Sequence, residues 1–184
     1  MTTKMLVCSF IGSFKVGDNL VYNALILCDL VRRNETGLLN KPIVLQSGAI
    51  IETALQQIIF RAQHFNREGV PNISEDDRQE IESKKIERFA VILAVMKKYG
   101  ILDSMGEDIY EELDELRKVR NKIHIQDFLE FPKYSNDEHR VFTASLRDWA
   151  LALLERVLVG LNANFPRPIG LEHFATRLTI PAMS

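Results

Sequence analysis

Apolar residues recur at intervals of three and four along most of this chain, and no alternating stretch of useful length competes with them. The pattern predicts an all-α fold, an up-and-down bundle of about five helices. With 184 residues the chain is long enough for one domain with a sizeable core, here residues 1–184. A first helix is expected over residues 18–33, with Asp18 as N-cap and Leu20, Val21, Ala24, Leu25, Cys28 and Val31 on one face. A second is expected over residues 47–66 after a break at Pro42, and Glu52 lies beside its apolar stripe as a candidate partner for a basic side chain.

Gly69 and Pro71 mark a loop, after which Ser74 and Asp77 form an N-cap signal for a third helical region that stops at Gly100. The fourth helix begins after Gly106 and ends near Ile125, and Pro132 separates it from a fifth over residues 137–163. Phe142, Leu146, Trp149, Leu153, Val157 and Leu161 form the stripe of the fifth and read as core rather than a cofactor site. Residues 1–16 are expected as a non-helical, extended arm, with inclusion in the first helix as the alternative. Pro166, Pro168 and Pro181 predict a non-helical tail from about residue 165.

The fourth helix carries the chemistry. On a helical wheel with Ile109 at zero, Val119, Ile123, Leu116 and Leu113 complete a buried stripe between roughly 280° and 40°. Arg120, His124, Arg117 and Asn121 fall at roughly 20°, 60°, 80° and 120°, inside and along one shoulder of that stripe. Lys118 falls on the opposite face. Two arginines, an amide and an imidazole on one shoulder are suited to holding a phosphate. The plain structural account is that basic residues near a helix C-terminus complement its dipole, while Glu107, Asp108, Glu111 and Glu112 suit its start.

Composition narrows the setting. Formal charge is −2, so there is no broad positive field for non-specific nucleic-acid binding, and any phosphate contact must be local. The segment from Arg117 to Lys122 is such a local patch, with four of the 23 basic residues. No apolar run approaches the ~20 residues of a membrane span, so no membrane partner is expected. The apolar stretch after Lys4 has too thin a charged region and no convincing cleavage site for a signal peptide. Cys8 and Cys28 form no CxxC pair and read as reduced thiols of a cytoplasmic protein. His64, His139 and His173 are scattered without metal-ligand spacing, so neither a metal nor a cofactor is expected. No GxSxG elbow or glycine-rich phosphate loop occurs.

The order of "SGAIIETALQQIIF", "KIERFAVILAVMKKYGIL" with its glycine stop, and "LRKVRNKIHI" before a long last helix resembles the HEPN superfamily over residues 47–161. The resemblance implies a small helical bundle with an Arg-spacer-His motif on a late helix. In many members it also implies metal-independent RNA cleavage, toxin or defence roles in bacteria, and homodimers in which two motifs face each other. Partners would then be RNA, a second copy, and a protein antitoxin or regulator. Arg117, with six residues before His124, fits the motif spacing, whereas Arg120, with three, is followed by the Asn121 that usually accompanies the motif arginine. The candidate catalytic set is Arg117, Arg120, Asn121 and His124, with Glu52 in support. The alternative implied by the same resemblance is a non-catalytic dimerisation or RNA-binding module.

Overall fold

The computed structural model describes residues 2–64, 74–121, 137–167 and 170–182. Most of these are helical: α1 (Phe14–Arg33), α2 (Asn40–His64), α3 (Glu75–Glu82), α4 (Phe89–Lys98), α5 (Ile109–Asn121), α6 (Glu138–Val141) and α7 (Ala144–Asn164). Two strands, β1 (Thr3–Cys8) and β2 (Thr176–Pro181), pair antiparallel with Thr3 opposite Pro181 and Cys8 opposite Thr176. The helical expectation therefore holds, with a small sheet formed where a non-helical arm and tail were expected.

α2 is the central strut, touching α1, α3, α4, α5 and α7. It is long and apolar enough to cross a bilayer by length and composition, but much of that apolar surface is buried inside the bundle. Residues from Ile43, Val44, Ile50 and Ile51 to Leu55, Ile58 and Ile59 are at most 2% exposed, so it is a core helix covered on several sides. It begins seven residues before the expected Ser47. Pro42 sits in its first turn, where a missing N–H removes only a group that has no intrahelical acceptor, so this proline opens the helix rather than ending one.

Other boundaries move for similar local reasons. α1 starts at Phe14, ahead of Asp18, because the Ser13 hydroxyl accepts from the Val16 amide at 3.5 Å and the Ser13 carbonyl takes the Gly17 amide. The third region is two helices. Ser74 does cap α3, accepting from the Asp77 amide at 3.1 Å, but α3 stops at Glu82 and α4 restarts after an extended Arg88. The fifth region is also divided: Thr143 caps α7 through the Leu146 amide at 3.3 Å, leaving α6 as a separate turn.

Buried polar groups tie the layers. Arg61, 4% exposed near the end of α2, donates from Nη1 to the carbonyls of Phe10 (3.2 Å) and Phe165 (2.7 Å) and from Nη2 to that of Pro166 (3.2 Å). One guanidinium thus joins the turn after β1, the central helix and the exit of α7. Arg156 of α7 does the same at the start of α5, bonding the Met105 carbonyl at 2.7 Å and the carboxylates of Asp108 and Glu112.

The junction of α3 and α4 rests on Glu80, which accepts from Lys84, from Lys98 at 2.6 Å and from the Tyr99 hydroxyl at 2.5 Å. These bonds hold the Glu80 carboxyl down at about 2. Because its folded value lies below the ordinary carboxylate value, the staple stabilises the fold above about pH 4.5 and is lost as pH falls toward about 2. Glu80→Gln should therefore lower Tm at pH 6, and the gap from wild type should close by pH 2 to 3 in thermal melts. A gap that stays constant over that range would show that the carboxylate charge plays no part.

Candidate functional site

The buried stripe of α5 lies where the helical period puts it: Ile109, Leu113, Leu116 and Val119 are fully buried. With that face on the core, Arg120 is drawn to the edge of α2. Its aliphatic stem crosses Gly48, where a side chain would meet it: an added Cβ would come 3.1 Å from the Arg120 Cδ. Gly48 and Glu52 are four residues apart and so share a face of α2. Arg120 Nη1 reaches Glu52 Oε2 in an ion pair whose carboxylate side chain is only 18% exposed. The guanidinium carbon also lies 6.0 Å from the Phe89 ring centroid, the outer limit of a cation–π contact. Glu52 thus meets a basic side chain, and that side chain is Arg120.

Arg117 goes elsewhere. Its Nε and Nη2 both bond Asp114 Oδ1 at 2.8 Å, and Lys118 holds the other oxygen of that carboxylate at 2.6 Å. Burial would raise the Asp114 carboxyl, but the hydrogen bonds from Lys118 and Arg117 outweigh it and keep the group below its ordinary value. Arg117 is thereby held along its own helix one turn back, while Arg120 crosses to α2. Lys118, expected as an uninvolved residue on the far face, shares the carboxylate that orients Arg117. Three cations of the basic run face two carboxylates in these pairs, so the patch is much less positive than the sequence alone implies.

Arg120 and Asn121 line an open groove of about 640 Å³ together with Leu30, Pro42, Leu45, Gln46 and Ala49. Among the described residues its apolar lining is Leu30, Pro42, Leu45 and Ala49, and its polar groups are an amide from α2, an amide from α5 and one guanidinium. Gln46 is fixed from below, its Nε2 donating to Asn23 Oδ1 at 2.7 Å and to the Asn23 carbonyl at 3.2 Å. His124 lies outside the described residues, as do Lys122, Ile123 and Ile125. Gln46, Asn23 and Gly48 were not visible as site residues in the sequence. The Gly-x-x-x-Glu spacing of Gly48 and Glu52 is the one signal that points to a side chain crossing there.

The other histidines make local contacts. His64 Nδ1 lies 2.9 Å from the Phe60 carbonyl with its ring stacked on that of Phe60, and His139 Nδ1 lies 2.8 Å from Asp137. His173 tilts against Phe174 at 3.9 Å. Cys8 and Cys28 are free thiols. Burial pushes the Cys8 thiol up to about 12, far from the range in which it would act as a nucleophile. No protein-family model, curated protein or solved structure matches this chain.

Proposed function

We propose that this chain is a metal-independent endoribonuclease of HEPN type, with an up-and-down HEPN-like bundle, acting in the cytoplasm as a toxin or defence effector. The observation that carries the reading is Arg120, anchored by Glu52 across Gly48 and lining, with Asn121, a groove at the end of α5. An arginine is permanently charged and offers planar paired donors, suited to the non-bridging oxygens of a phosphodiester as negative charge builds on them. Glu52 fixes the orientation of that fork before substrate arrives. Asn121 supplies a neutral donor and acceptor beside it. A histidine side chain can exchange a proton near neutral pH, and His124 takes the proton from the ribose 2′-hydroxyl or returns one to the leaving 5′-oxygen. The 2′-oxygen then attacks phosphorus, the 5′-oxygen leaves, and the product ends in a 2′,3′-cyclic phosphate. One histidine per chain fills one of these roles, and a homodimer pairing two motifs supplies the other.

Of the two motif arginines, Arg120 is assigned to the phosphate and Arg117, bound to Asp114, to shaping the helix. A second reading, a non-catalytic RNA-binding or dimerisation module, draws support from the same ion pairs, since both arginines already face carboxylates.

The two readings part in one experiment. Purified protein is incubated with mixed RNAs in EDTA and the fragment ends are analysed. Fragments ending in 2′,3′-cyclic phosphate support the enzyme, retention of intact RNA supports the binding module, and neither outcome sinks both.

A further inference from the structure

Among the described residues, one edge of the sheet is left open. Ala182 donates to the carbonyl of Thr2 at 3.1 Å, and these two residues stand directly opposite each other in the register that pairs Thr3 with Pro181. In an antiparallel ladder, directly opposed residues alternate between bonded and non-bonded pairs. The bonded pairs are therefore Lys4–Ile180, Leu6–Leu178 and Cys8–Thr176. The N–H and C=O groups of Thr3, Met5 and Val7 point away from β2, and those of Arg177 and Thr179 point away from β1.

The two outer edges are treated differently. On β2, the Cys28 thiol of α1 donates to the Thr179 carbonyl at 3.4 Å, and Pro181 has no N–H to offer. α1 also crowds this strand, since a Cβ on Gly17 would meet Thr176 Oγ1 at 2.6 Å. On β1, nothing among the described residues pairs with the outward groups of Thr3, Met5 and Val7. The side chains of Met5 and Val7 are 64% and 46% exposed. Lysine on an edge strand normally discourages pairing. Here the ammonium of Lys4 is turned inward and bonded at 2.5 Å to Glu155 of α7.

We infer that β1 is a docking edge for β1 of a second copy of this chain, forming a continuous four-stranded sheet across a two-fold axis at Met5. The edge is self-complementary, which fits it to a second copy of itself. The three outward-facing residues are symmetric about Met5, so an antiparallel copy sets Met5 against Met5 and each Thr3 against the other copy's Val7. Three bonded pairs give about six ladder hydrogen bonds. The exposed Met5 and Val7 side chains gain apolar cross-strand neighbours on the outer face. Like-charge repulsion is absent because each Lys4 is neutralised by its own Glu155. Beneath the edge, Val159 of α7 is 46% exposed and shares a helix face with Glu155 and Asn162, which hold Lys4 and the backbone of Ser9. The incoming strand covers it. Such a contact is smaller than the roughly 1,000 Å² of a stable standard interface, so association should be micromolar and concentration-dependent. This inference does not rest on the ribonuclease reading, and the edge lies apart from the groove of Arg120.

Sedimentation velocity across 1 to 200 µM concentration, chosen to span the weak range, tests it with the full chain. Wild type should show a concentration-dependent step that doubles the mass of the species present at the lowest concentration, and the Met5 variants tell this step from any pairing of the motif faces. Met5→Pro removes an N–H that faces outward and leaves the β1–β2 ladder intact, so the fold should persist while that step weakens by roughly 10- to 100-fold. Met5→Lys, which sets two ammonium groups against each other at the axis, should act alike and guards against misfolding of the proline variant. Met5→Cys in a Cys28→Ser background should crosslink to a dimer on mild oxidation. No association in wild type, or an association step unchanged in both Met5→Pro and Met5→Lys, overturns the inference; so does failure of Met5→Cys to crosslink where wild type associates.

Discussion

His124→Ala is expected to lower RNA cleavage by about 10²- to 10⁴-fold, the range that positioned acid–base groups supply, with Tm held close to wild type. The arginines should then separate in a way the sequence leaves open. Arg120→Ala should reduce turnover more than RNA affinity, since its interaction strengthens only as charge develops on the phosphate. Arg120→Lys should rescue little, because a point charge cannot reproduce a planar fork. Arg117→Ala should have the smaller effect, since Arg117 is bound to Asp114 at 2.8 Å rather than placed in the groove. Single-turnover cleavage with protein in excess of RNA, at protein concentrations well above and well below Kd, separates the two contributions. Wild-type cleavage by His124→Ala would return the cluster to RNA docking or helix stability.

Arg61→Met should destabilise the fold by about 3 to 5 kcal/mol, because it strands carbonyls that its guanidinium now satisfies in a largely buried place. The thioether fills part of the space and accepts no such role. For a chain of this size that corresponds to a Tm lower by roughly 6 to 20 °C. Urea unfolding monitored by circular dichroism gives the value. A loss below about 1 kcal/mol would mean that water replaces the guanidinium at Phe10, Phe165 and Pro166.

What could be read in the sequence was local. The stripe from Ile109 to Val119 and the position of Arg120 on its shoulder follow from one helical period, so they were legible without knowing the neighbours. That Glu52 would meet a cation was also legible from its place beside an apolar stripe, though which cation was not. Gln46 and Asn23 were hidden because their meeting depends on how α1 packs on α2, which no spacing within either helix encodes. Pro42 read as a break because proline both ends and begins helices, and the difference lies in whether the residues before it are already helical. The break before Phe89 and the cap at Thr143 interrupt apolar patterns that continue in phase across them. β1 was hidden because Met5 to Cys8 is apolar on both faces, and β2 because its partner lies at the other end of the described chain.

That separation governs the order in which the molecule can assemble. Closing a loop is opposed by an entropy that grows only logarithmically with length, so the pairing of Thr3 with Pro181 is affordable at equilibrium, but it must wait until the intervening helices have shortened the distance. The contacts of α2 with α1 and α3 are therefore expected ahead of it, with the face of α1 that β2 covers left open until the strands pair. Until then β1 has two open edges instead of one, and at high chain concentration a second chain competes with its own β2 for them. Crowded refolding thus favours intermolecular strand exchange, and slow dilution favours the closed fold.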